Sequence, residues 1–141
     1  MHVGAHGHTH RFLAGLESRE LDSELRQCHG LLSRHLGQAP RQVSFPGGRF
    51  DDAAIAAARR VGFDVLHGSR PGAIADAHEL GTQVLPRMAI RPDWTLPAFM
   101  ACVRADRGHL MRARALETGK ALARGVLGHD RYHRLYARFR A

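Results

Sequence analysis

Residues 42–67 read QVSFPGGRFDDAAIAAARRVGFDVLH, and this stretch decides the fold. Gln42-Val43-Ser44-Phe45 is a short β-prone run that Pro46 ends, because proline has no N–H to donate to a ladder. Gly47-Gly48-Arg49-Phe50 reads as a turn. Asp51 or Asp52 then caps a helix from Ala53 to Val61, in which Ala54, Ile55, Ala58 and Val61 form the core face, and Gly62 stops it. Phe63-Asp64-Val65-Leu66-His67 is the next strand. Strand, helix and strand joined by short connections make a βαβ unit, so the expected class is α/β with a parallel sheet.

Upstream, Leu21, Leu25, Cys28, Leu32 and Leu36 recur at helical spacing. Ser18 is the expected N-cap of that helix and Gly37 its left-handed stop. Downstream, residues 68–82 form a turn-rich loop, and Val84 to Ile90 hold one more short strand, placed at an edge or end by Pro86. Thr95 or Asp93 is expected to cap a helix from Pro97 to Val103. Beyond Gly108 the chain reads as two basic helices, 109–124 and 129–140, broken around Gly125 and Gly128. The last carries an apolar stripe of Tyr132, Leu135, Tyr136 and Phe139.

The 141 residues suit one core, and 44% hydrophobic with 24% charged residues is a globular composition. The apolar runs fall far short of the roughly 20 residues a membrane-crossing helix needs. No basic segment followed by an apolar one marks a signal peptide, so the expected location is cytoplasmic, or peripheral to the inner membrane of a bacterium. Two cysteines, Cys28 and Cys102, make no disulfide framework. The net charge of +8 is uneven: residues 1–103 carry 11 Arg against 10 acidic groups, while residues 104–141 carry 10 basic groups against Asp106, Glu117 and Asp130. The expected organisation is therefore a domain over 1–103 and a basic helical extension over 104–141.

The chemistry concentrates in Gly4-Ala5-His6-Gly7-His8-Thr9-His10. Neutral imidazole is a common metal ligand, and two His with a carboxylate is a frequent zinc set. His6 and His10 lie four apart, which suits one metal if the segment turns, whereas His8 would point elsewhere. The same spacing also suits an unstructured His-rich terminus with adventitious metal affinity.

Val3 to Leu13 resembles the second motif of polysaccharide deacetylases, the NodB-homology domain of carbohydrate esterase family four, in which a strand ends in His-(Ser/Thr)-x-x-His. By that match His6 and His10 would be the ligands of zinc or another divalent metal, with Gly7 in the Ser/Thr place. Val43 to Asp51 is similar to the family's third motif, a strand end with Pro-x-Gly. There a backbone N–H after the proline binds the oxyanion, here Gly47, and Pro46, Gly48 and Arg49 would line the substrate. The usual aromatic residue is missing at Gly47. Leu85-Pro86-Arg87-Met88 is similar to a segment of the exopolysaccharide-biosynthesis branch. The resemblance covers about residues 1–95 and implies a partial, distorted (β/α) barrel lacking its first strands, with a helical C-terminal extension.

It also implies metal-assisted removal of acetyl groups from N- or O-acetylated polysaccharide. The family's general base and carboxylate ligand come from an Asp-Asp motif upstream of the His motif, which has no counterpart here. Asp51-Asp52 resembles that pair but is placed to cap a helix. His67, His78, His109, His129 and His133 offer no recognisable catalytic motif. The resemblance thus implies an N-terminally truncated domain, weak zinc binding, little turnover and an exposed sheet edge. The alternative function is a non-catalytic module that applies its basic amphipathic tail to an anionic membrane or polymer. Nothing but charge favours nucleic acid.

Overall fold

The computed structural model describes residues 2–74 and 83–127, which fall into two compact units, one within 1–89 and one within 90–141. The domain boundary expected at 103/104 lies inside the second unit.

The first unit is built on helix α1 (Ser18–Leu36), strand β1 (Gln42–Ser44), a 3₁₀ turn (Pro46–Gly48), helix α2 (Asp52–Val61) and strands β2 (Val65–His67) and β3 (Val84–Leu85). β1, β2 and β3 pair in that order and all in parallel, with Val43 opposite Leu66 and Leu66 opposite Val84. The α/β parallel architecture expected from residues 42–67 is thus observed. On the other side of β1, Ala5 makes a parallel bridge to Val43: its N–H donates to Gln42 O at 2.8 Å and its carbonyl accepts from Ser44 N at 2.9 Å. The residues that follow Ala5 are therefore anchored to the sheet at one end.

The core is the meeting of Val43, Phe45, Leu66 and Phe63 with Leu13, Leu21 and Leu25, all at most 1% exposed. Burying each such side chain contributes about 1.5–3 kcal/mol. α2 packs against α1. Ala54, Ala57 and Ala58 are its buried positions, and their small side chains leave room for close approach. Gly62, at φ 111°, ends α2: its N–H donates to Arg59 O and the Phe63 N–H to Ala58 O, each at 3.1 Å. This pair of bonds is a Schellman ending. It removes Phe63 and Asp64 from the expected strand, which begins only at Val65.

Two details of α1 correct the sequence reading. Its N-cap is Glu17 rather than Ser18, because Glu20 at the third helical position reaches back to the Glu17 N–H at 3.3 Å. Leu36 is 37% exposed, so the apolar stripe ends at Leu32, which packs at the core margin. The C-terminal stop is as expected, with Gly37 at φ 68°.

In the second unit, helix α3 (Leu96–Val103) is capped by Thr95, whose hydroxyl accepts from Ala98 N at 3.4 Å. Helix α4 (Arg107–Leu127) starts under Asp106, which accepts from His109 N at 2.8 Å. α4 runs through Gly125, where a break was expected; one glycine costs a helix only about 1 kcal/mol. The expected helix 129–140 and its apolar stripe lie outside the described residues. No helix among the described residues is long and apolar enough to cross a membrane.

Candidate active site

The loop that leaves Ala5 carries the histidines. His6 is half-buried, and its Nδ1 lies 2.7 Å from both the carbonyl oxygen and the Oγ of Ser44 at the end of β1. A carbonyl can only accept, so Nδ1 carries the proton and Nε2 keeps its lone pair. Such a backbone partner is what commonly orients a metal-ligating imidazole. The chain then turns sharply, with Gly7 at φ 78° and His10 at φ 62°. This brings the His10 ring back beside His6, with centroids 4.9 Å apart and planes tilted by 55°.

The turn is gripped from α1. Oε2 of Glu24 accepts from the N–H groups of His8 and Thr9, each at 2.9 Å, and Oε1 accepts from the Thr9 hydroxyl at 2.5 Å. Burial of this carboxyl raises its pKa, but the Thr9 hydroxyl, the Thr9 N–H and the His8 N–H outweigh that and hold it below the ordinary glutamate value. Glu24 is therefore ionised at neutral pH, and a carboxylate at that site offers acceptors only.

The second wall is the turn after β1. Pro46 is buried, so its part is to shape the turn, while Gly48 and Arg49 are half-buried and Gly47 is exposed. Gly48 N–H donates to Phe45 O at 2.8 Å and Arg49 N–H to Pro46 O at 3.2 Å. Gly47 and Gly48 have φ of 62° and 66°, and a Cβ on either would lie 2.5 Å from a neighbour, Phe12 Cε1 and Ser69 Cβ respectively. Phe12 thus fills the space that a side chain at position 47 would occupy. The Arg49 guanidinium carbon lies 4.3 Å from the centre of the Phe12 ring.

Of the remaining sequence candidates, Asp51, Asp52, His67 and His109 are among the described residues. Asp51 is the α2 cap, accepting from Ala54 N through Oδ1 and from Gly15 N through Oδ2, both at 2.8 Å. The Ala54 and Gly15 N–H bonds hold its carboxyl below the ordinary aspartate value. Asp52 is exposed in the first turn of α2. His67 is held in the sheet, with Nε2 donating to Gln42 Oε1 at 3.1 Å, and burial followed by the charge of Arg87 lowers its pKa. His109 belongs to the second unit, where its ring meets Trp94 edge-on at 5.5 Å. His78, His129 and His133 lie outside the described residues.

His6 and His10 are two imidazoles on one turn, a donor type that suits a divalent cation. No group of three His, Cys, Asp or Glu that could hold a metal occurs among the described residues. Sequence reasoning missed Glu24 and the orienting role of Ser44. The signal for Glu24 was its position between Leu21, Leu25 and Cys28, where a charge on an apolar stripe needs a partner.

Residues 1–66 match the family model of the polysaccharide deacetylases. Solved structures agree in fold. The deacetylase PplD of Streptococcus pyogenes, in complex with acetate, superposes with a TM-score of 0.62 at 21% identity, over 70% of this chain and 43% of that one. A polysaccharide deacetylase from Bacillus cereus gives 0.60 at 19% identity, over 72% and 31%. IcaB from Ammonifex degensii gives 0.53 at 19% identity, over 79% and 46%. The chain therefore spans less than half the length of these relatives. No curated protein matches it.

Proposed function

We propose that this chain carries part of the active site of a zinc-dependent hydrolase that removes acetyl groups from N- or O-acetylated polysaccharide. The observation that supports it is the His6–His10 pair, its rings 4.9 Å apart, on a turn whose next aromatic residue packs on Gly47. His6 and His10 would hold the metal, and zinc bound there would supply an activated water and a Lewis acid for the acetyl carbonyl.

The Gly47 N–H donates to the oxygen on which charge develops. Arg49 and Gly48 flank the acetylated sugar, with the Phe12 ring beneath Arg49. Acetate, seen in complex with PplD, is the product of such a reaction. The aspartate base and third ligand belong to a motif without a counterpart in these residues, so the chain alone binds zinc weakly and turns over little.

Zinc titration calorimetry, paired with acetate release from N-acetylglucosamine oligomers, tests this. His6→Ala and His10→Ala should each abolish zinc binding, and oligomer should shift the amide signals of Gly47 and Arg49. Zinc affinity unchanged in the double variant, or acetate release that survives it, would sink the reading.

A further inference from the structure

Among the described residues, Glu24 is the one buried charged side chain, at 6% exposure. It occupies the core-facing stripe of α1, where an apolar residue would ordinarily sit, and a carboxylate placed there needs hydrogen-bond donors. All three donors it uses lie between His6 and His10. The residue that follows them, His10, is held at φ 62°, a left-handed conformation that non-glycine residues seldom adopt. Strain of that kind persists only when the surroundings over-determine it.

We infer that Glu24 is a positioning residue for the His6–His10 pair: by fixing the His8 and Thr9 N–H groups it holds His10 left-handed, with its ring beside His6. The two imidazoles are thereby set from different elements, His6 from β1 through Ser44 and His10 from α1 through Glu24. Without the carboxylate, the turn after Gly7 relaxes, His10 returns to negative φ and its ring leaves His6. The inference rests on the proposed metal reading of the pair.

The test is zinc calorimetry and Co²⁺ absorption on the full chain, with Glu24→Ala, Glu24→Gln and Thr9→Val beside His6→Ala and His10→Ala. Outer-shell changes typically lower metal affinity by roughly 10–100-fold, and Glu24→Ala should fall in that range. Glu24→Gln keeps one acceptor oxygen and should lose less. Thr9→Val, which leaves both amide bonds, should lose least and decides the matter if the Glu24 variants do not fold. Amide exchange at His8 and Thr9 should accelerate in step with the lost affinity. A purely structural role would lower the melting temperature while the folded protein bound zinc as before, and that result would overturn the inference. If the Glu24 and Thr9 variants bind like the parent while the histidine variants do not, only the positioning role fails. Unchanged binding in the histidine variants removes the metal reading and this inference together.

Discussion

The Phe12 ring lies where a side chain on Gly47 would have to go: a Cβ built at that glycine comes within 2.5 Å of Phe12 Cε1. An aromatic at position 47 and the observed Phe12 packing are mutually exclusive. The residue two past His10 thus takes the place beside the turn that a side chain at position 47 would fill. Gly47→Ala should cost about 1–3 kcal/mol from the positive φ alone, with the Phe12 clash added to it. Gly15→Ala, at φ 80° with nothing within 4 Å, isolates the conformational part. Urea unfolding of both, and of Gly47→Ala combined with Phe12→Leu, should recover the clash component and leave the rest.

Stability should fall in acid through two named groups. Glu24 and Asp51 both have folded pKa values below their ordinary ones. Their contributions are therefore complete above the unfolded carboxylate values, about 4, and vanish as pH falls through the lower folded values. Denaturant midpoints measured from neutral pH downward should show a decline that flattens in Glu24→Gln combined with Asp51→Asn. An undiminished decline in that variant would place the acid sensitivity elsewhere.

Asp51 should also matter at neutral pH. It caps α2 and ties down Gly15, whose N–H donates to Oδ2 at 2.8 Å. Asp51→Ala should cost about 0.5–2 kcal/mol by thermal unfolding, the range for lost N-caps. Because Asp51 is a cap and no ligand, zinc affinity should stay at the parent value. A loss of zinc binding with stability intact would give Asp51 a role at the metal.

Two leucines separate core from apparent core. Leu66, fully buried in the central strand, should cost about 2–5 kcal/mol as Leu66→Ala. Leu36, in register with the α1 stripe but 37% exposed, should cost at most about 0.5 kcal/mol on the same change. Equal losses would mean that Leu36 is covered in solution.

The parallel sheet was legible because residues 42–67 combine a proline stop, an aspartate cap and a glycine terminator within one βαβ span, and each signal is local. The His6–His10 pairing was legible as spacing. Its orientation was not, since the Ser44 carbonyl that sets the His6 tautomer lies 38 residues away. The α1 start was misplaced by one residue because Ser18 is the better cap by type, while the Glu17–Glu20 capping box depends on how the helix is entered. Gly125 reads as a breaker in isolation, yet α4 passes through it.

By itself, then, the sequence determined where chain direction changes and which residues are chemically able to bind metal, because caps, prolines and glycine stops act over a few bonds. Only the tertiary structure decided that Glu24 grips the His turn, that Phe12 replaces a side chain at Gly47, and that His6 offers Nε2. Those three facts join residues 15 to 38 positions apart or across the Phe12–Gly47 contact. Directional bonds and excluded volume between such distant residues exist only once the sheet and α1 have brought them together.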